Sequence, residues 1–397
     1  MQKNNKITPL GFRDYLFEES EALNEINSRL MRLFSHRGFH QVVTPTLEFL
    51  DVFALDGEQM PVEKMYKLCD NRGRLLVLRP DITMPIARLA ATRLKDEQLP
   101  LRLCYTESVY NSNYSLHGHR DEITQSGVEL LGAQGKRADL EILVLAAQSL
   151  SRCGANDFKI EIGHAGVFKS LIGELDEDEQ TIETIRSLIE TKCYAALDDV
   201  LLGLKNQKVA KILKRLPHLF GGEDVLSEAK ELCGDICGDA LSYLGDIFSS
   251  LKELGLKDNI YLDLGLVHSN TYYTGVLFRG YIAGSGITVL SGGRYDELLS
   301  KFGVNMAAIG FAVQNDAMAE ILLQSGQISK TTAPDMLVFA EKGYELKALN
   351  YCDSLANQGK TVESSVFDTF EESVEYAKKR GIKRIVTVAE QTSNLEI

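Results

Sequence analysis

The stretch LRLCYTESVY, residues 101–110, alternates apolar and polar side chains, and ITQSGVELL, residues 123–131, reads as its partner. A period of two sends successive side chains to opposite faces of a sheet, so the pair predicts two long strands joined by a polar loop. Upstream, Leu16, Leu23, Ile26, Leu30, Leu33 and Phe34 recur at helical spacing and predict a helix over 16–37, ended by Gly38. Residues 39–44 read as a strand that stops at Pro45, which has no N–H for a ladder. Leu75 to Leu78 form a further apolar segment, followed by Arg79-Pro80-Asp81 and a helix carrying Ile86, Leu89 and Leu94.

Downstream, Lys136 to Cys153 is a Leu- and Ala-rich helix closed by Gly154. Phe158, Ile160 and Ile162 alternate with polar residues and predict a strand. Residues 166–257 turn helical and acidic and are read as a helical insertion. Strands return with IYLDLGLV (260–267), TGVLFRGYI (274–282) and GITVLSGG (286–293). A polar stretch from Gln324 to Thr332 reads as a linker. Beyond it, MLVFA, TVESSVF and RIVTVA, separated by helical patterns, predict a β-α-β-α-β domain over 333–397. The core is expected to span 1–325. No internal repeat or low-complexity tract is apparent.

A chain of 397 residues exceeds one compact core, and two or three domains are expected. Its 44% apolar and 25% charged content is that of an ordinary globular protein. The net charge of −13 argues against a long polyanion as main partner, because such binding relies on Lys and Arg displacing counterions. There is no run of eighteen apolar residues to span a membrane and no apolar leader in MQKNNKITPLGF. The seven cysteines are scattered, and the closest pair, Cys233 and Cys237, lacks redox or zinc spacing. A reducing, cytoplasmic setting is expected, with no metal and no cofactor.

Five segments, in order, resemble the class II aminoacyl-tRNA synthetases, specifically the histidyl type. GFHQVVTPTLEFLDVF (38–53), centred on Pro45, resembles the dimer-forming first motif. Leu78-Arg79-Pro80-Asp81-Ile82-Thr83 is similar to L-R-P-E-G-T, and Leu103 to Gly132 resembles the second motif. Tyr272-Tyr273-Thr274-Gly275 is similar to Y-Y-T-G. Gly292-Gly293-Arg294-Tyr295-Asp296, then Gly310-Phe311-Ala312, resembles the approach to the third motif. The resemblance implies an α+β fold: a class II synthetase-like antiparallel sheet flanked by helices, with a shortened anticodon-binding-like α/β domain after it.

Adenylate chemistry requires arginines, which stay charged and grip phosphate through paired hydrogen bonds. Losing one such donor costs about 2.7–4 kcal/mol in a transition state. At the positions where the resemblance places them stand Asn111, Asp121, His268 and Ala317. Arg120 and Arg279 are the neighbours able to substitute. The amino-acid pocket is better kept: the resemblance assigns Asp81, Thr83, Gln125, Glu129, Tyr272 and Tyr273 to histidine, with Asp81 one methylene shorter than the family's glutamate. An ammonium needs acceptors, and an imidazole can donate to a carboxylate and stack on a ring. Arg294 and Asp296 read as a brace for a turn. His117 and His119 with Asp121 and Glu122 do not make a full coordination sphere from one loop.

This pattern resembles the regulatory subunits of short-form ATP phosphoribosyltransferase, the first enzyme of histidine biosynthesis. It implies a non-catalytic chain acting with a separate catalytic subunit in a hetero-octamer of four plus four. Histidine would be the feedback effector, and the chain would self-associate as a dimer through its synthetase-like core. No membrane or tRNA partner is expected. Two other readings stand beside it: a divergent active histidyl-tRNA synthetase and a free-standing histidine-sensing module.

Overall fold

The computed structural model describes residues 6–55, 61–112, 120–267, 272–283, 287–326 and 333–396. The chain forms two compact units, Met1–Ile328 and Ser329–Ile397.

The first unit opens with α1 (Glu18–His36), β1 (His40–Gln41), β2 (Leu47–Phe49), β3 (Lys67–Cys69), β4 (Leu75–Leu78) and α2 (Thr83–Arg93). Next come β5 (Leu101–Tyr110), β6 (Glu122–Leu131), α3 (Lys136–Arg152) and β7 (Phe158–His164). Six helices follow: α4 (Ala165–Gly173), α5 (Glu179–Glu190), α6 (Tyr194–Leu202), α7 (Gln207–Arg215), then, after β8 (Phe220–Gly221), α8 (Glu223–Cys233) and α9 (Gly238–Leu251). The unit closes with β9 (Ile260–Asp263), β10 (Val276–Ile282), β11 (Thr288–Arg294), β12 (Ala308–Gln314) and α10 (Asn315–Gln324).

Nine strands form one sheet in the order β1-β5-β6-β12-β11-β10-β7-β9-β8. It is antiparallel except for β1 against β5 and β7 against β9. β5 and β6 pair from Leu101↔Leu131 to Tyr110↔Glu122, the register that a continuous period-two pattern requires. The strand expected over 39–44 is shorter, since β1 holds only two residues in the ladder. The Thr44 N–H is taken by the Glu107 carboxylate at 2.8 Å, and Pro45 then turns the chain away.

Alternation along β5 and β6 creates two different faces. Cys104, Val128 and Leu130 point into a helix-covered core shared with α1, α3 and α9. Leu103, Tyr105, Val109 and Leu131 point the other way, against Val77, Ile82, Ile86 and Leu298. Helix α1 seats Ala22, Ile26, Leu30 and Phe34, all fully buried, on the first face. Each of the three larger side chains contributes about 1.5–3 kcal/mol by leaving water. Leu16 lies before the helix and is exposed, so the apolar stripe begins later than its spacing suggests. Helices α4–α9 extend the same apolar cluster through Ile185, Leu197, Leu213 and Leu241 and are built onto the core.

The second unit contains β13 (Met336–Ala340), α11 (Glu345–Ala356), β14 (Val362–Ser364), α12 (Phe370–Arg380), β15 (Arg384–Val388) and β16 (Ser393–Glu396). Its sheet runs β14-β13-β15-β16, parallel except for β16, a strand the polar sequence SNLE does not announce. Thr369 and Glu372 form a reciprocal cap at the start of α12.

Candidate functional site

On the second face of the large sheet lies a cavity of about 260 Å³. Asp81, Thr83, Gln125, Glu129, Tyr272 and Tyr273 all line it. They come from three places. Asp81 and Thr83 sit where the chain leaves β4 and enters α2. Gln125 and Glu129 are four residues apart on β6 and share one face. The two tyrosines precede β10.

The strands can carry polar groups here because glycines leave the space. A Cβ on Gly127 would meet the Tyr105 ring at 2.5 Å, and one on Gly310 would overlap the Glu129 carboxylate. Thr83 Oγ1 donates to Glu129 Oε1 at 2.9 Å, and the Tyr295 hydroxyl donates to Oε2. The Met84 N–H donates to Asp81 Oδ1 at 2.8 Å, which fixes that carboxylate at the head of α2. Tyr272 packs on Tyr273 with centroids 4.8 Å apart and meets Tyr295 edge-on at 5.8 Å.

Tyr105 and Tyr295 also line the cavity, and sequence reasoning missed both as site residues. Tyr105 reads as one more strand position in the alternation of β5. Tyr295 stands inside the quoted G-G-R-Y-D, where attention fell on its charged neighbours.

The electrostatics are unbalanced. Burial pushes the Glu129 carboxyl up to about 8, and the Asp81 charge adds to the effect; the Tyr295 and Thr83 hydrogen bonds oppose it. Burial raises Asp81 to about 6 against the pull of the Met84 and Thr83 N–H groups. Burial also raises the Tyr105, Tyr272 and Tyr295 phenols well above their ordinary range, with Glu129 among the contributing charges. Among the described residues, none that lines the cavity is a lysine, arginine or histidine. Two carboxyl groups and four phenols, with no cation among the described lining residues, suit a compact ligand with cationic or N–H donor groups.

The positions expected to handle phosphate are arranged differently. Asn111 Nδ2 donates to the Pro80 carbonyl at 3.0 Å. Asp121 is buried, accepts from the Tyr66 hydroxyl, and lies against Gly11. Ala317, in the first turn of α10, packs on the apolar core. Arg120 is paired with Asp316 at 3.5 Å and with Glu320, and lies over Tyr15. Arg279 donates to the Val267 carbonyl at 3.3 Å and sits 3.7 Å from Glu190. His268, His117 and His119 lie outside the described residues.

Two arginines of the quoted motifs are structural. Arg79 is buried, pairs with Glu107 at 2.6 Å and donates to the Thr44 and Ser108 carbonyls at 2.8 Å. Arg294 pairs with Asp296 at 2.8 Å across the turn, and also with the fully buried Asp139, a partner 155 residues away. Among the described residues no group of three His, Cys, Asp or Glu side chains is placed to hold a metal. No helix among them is long and apolar enough to cross a membrane. Cys233 and Cys237 are buried free thiols in the helix-covered core.

Residues 11–318 match the family model described as histidyl-tRNA synthetase. The chain is 40% identical over 382 residues to the ATP phosphoribosyltransferase regulatory subunit of Clostridium kluyveri, covering 95% of this chain and 98% of the relative. It is 39% identical over 388 residues to that of Clostridium botulinum, covering 96% and 92%. A crystal structure from Bacillus halodurans, described as an ATP phosphoribosyltransferase regulatory subunit/histidyl-tRNA synthetase, superposes with a TM-score of 0.85 at 30% identity, covering 98% of this chain and 100% of the other.

Proposed function

The chain belongs to the ATP phosphoribosyltransferase regulatory subunits built on the histidyl-tRNA synthetase fold, and from that premise we propose that it is a non-catalytic histidine reader. It acts in the cytoplasm with a separate ATP phosphoribosyltransferase catalytic chain, in the first step of histidine biosynthesis. The observation that carries the reading is the contrast inside one site. The acid- and tyrosine-lined cavity is open to a ligand, while Arg120 and Arg279, the arginines able to substitute in phosphate handling, lie against carboxylates.

Bound histidine would set its α-ammonium against Asp81 and Gln125 and its imidazole against Glu129 and the tyrosines. Histidine held more tightly in one quaternary state shifts the assembly to that state, and the coupling is reciprocal. A coupling of about 1–3 kcal/mol suffices for useful feedback. The assembly we propose is four regulatory and four catalytic chains, with the regulatory chains paired as dimers. Support for the dimer comes from the small sheet β2-β4-β3, where Leu47, Phe49 and Leu68 share one face by register and are 40–43% exposed.

The isolated chain should show no histidine-dependent ATP–pyrophosphate exchange and form no phosphoribosyl-ATP. Added to a short-form catalytic chain, it should raise phosphoribosyl-ATP formation and make it sensitive to histidine. Tyr273→Ala should weaken histidine binding, measured by calorimetry, by about tenfold or more, in line with loss of an aromatic contact worth roughly 0.5–1.5 kcal/mol plus its buried area. Vigorous exchange by the isolated chain would overturn the reading in favour of an active synthetase.

A further inference from the structure

A second concavity lies on the other, helix-covered side of the large sheet, between α1 and α3, with a volume of about 730 Å³. Its walls carry Arg29, Arg32, Arg37 and Arg152, with His36 and a single acid, Glu25. Arg29 is engaged by Glu25 at 2.8 Å, and Arg37 donates to Gln148 at 2.7 Å. Arg32 and Arg152 have no hydrogen-bond or ion-pair partner among the described residues. In a chain of net charge −13, four guanidinium groups against one carboxylate form a local positive island.

Arginine near a helix C-terminus complements the helix dipole, and that accounts for Arg152 in the last turn of α3 and Arg37 at the end of α1. It does not account for Arg29 and Arg32, which lie further back along α1, beyond the reach of an effect confined to the last turn. Nor does it account for four such groups facing one hollow.

We propose that this groove is an anion site for a compact phosphorylated molecule carrying two or more phosphates. Guanidinium groups suit phosphate because they present paired donors in a fixed fork and stay charged. The volume falls within the roughly 300–1,000 Å³ of small-molecule sites. The charge is also bounded. Glu18, Glu19 and Glu21 occupy the first turn of α1, and Glu141 of α3 is held by Arg102 at 3.0 Å. A nucleic acid strand running past the groove would meet these acids; a small polyphosphate would not. The site is independent of the tyrosine-lined cavity, which opens on the opposite face of the sheet.

The test is calorimetric titration of the full chain with tripolyphosphate at low salt. The wild type should bind with a Kd below about 1 mM. The double substitution R32Q/R152Q should weaken binding at least tenfold, about 1.4 kcal/mol, while the chain stays folded, with stability lowered by no more than about 1 kcal/mol through the lost Arg152 charge at the end of α3. A control double substitution on α12, K378Q/K379Q, should leave tripolyphosphate affinity intact. So should Tyr273→Ala. No binding by the wild type, equal binding by wild type and R32Q/R152Q, or an equal loss in the α12 control would each overturn the proposal. Preference for an acidic peptide or an oligonucleotide over tripolyphosphate would overturn it as well.

Discussion

The two ends of the synthetase-like cleft hold polar side chains of similar number and opposite disposition. At the acid and tyrosine end, Asp81, Glu129 and the phenols surround an open space whose described lining holds no lysine, arginine or histidine. At the other end, Asn111, Asp121, Arg120 and Arg279 are tied to backbone or to one another's neighbours. Burial at the first end disfavours the charged forms of Asp81 and Glu129. The second is already neutralised. Buried carboxyl groups facing a cavity without a balancing cation fit a ligand site, and charges paired within the fold fit a structural role.

The largest test of that contrast is Gly310→Ala. The added methyl would occupy the place of the Glu129 carboxylate, so it should abolish histidine binding and destabilise the chain by about 1–3 kcal/mol through overpacking. Calorimetry and denaturant unfolding measure the two effects. Unchanged binding would show that Glu129 does not shape the ligand site.

A smaller effect is expected from pH. Glu129 titrates near 4.5 when unfolded and at about 8 when folded, so the folded chain keeps a proton that the unfolded chain has released. Stability of the unliganded protein therefore falls as pH rises from about 4.5 to 8. Asp81 adds a narrower window, from about 4 to 6. Glu129→Gln should flatten the slope of melting temperature against pH between these limits. A cation in the pocket lowers both values, so histidine binding near pH 7 should release protons, seen as a dependence of binding heat on buffer ionisation. No proton release would break the contrast at its first end.

The smallest effect belongs to the second end. Asp121→Asn keeps an acceptor for the Tyr66 hydroxyl and should cost no more than about 1 kcal/mol of stability, by chemical unfolding. Histidine affinity should not change. A loss of histidine binding comparable with that of Tyr273→Ala would merge the two ends into one functional unit.

Much of this was legible in the sequence. The bounds of β5 and β6 follow from their alternation, because register in a sheet with two different faces tolerates no slip. The helix α3 and its glycine terminator follow from local chemistry. The six residues expected from the resemblance do converge on one cavity. Three things were not legible. The strand order of the sheet joins segments that no local pattern relates. Tyr105 looks like any strand residue until β12 supplies the glycine side of its cavity. The Arg294–Asp139 pair spans 155 residues and is invisible to any reading by spacing.

The sequence by itself determined which side chains alternate along β5 and β6 and where α3 ends, since these depend on neighbours along the chain. Tertiary structure alone decided what the arginines pair with and which carboxyl groups face a cavity. Whether a charge is paired or exposed to a ligand depends on distances between elements, and those distances exist only after the sheet has closed around its two faces.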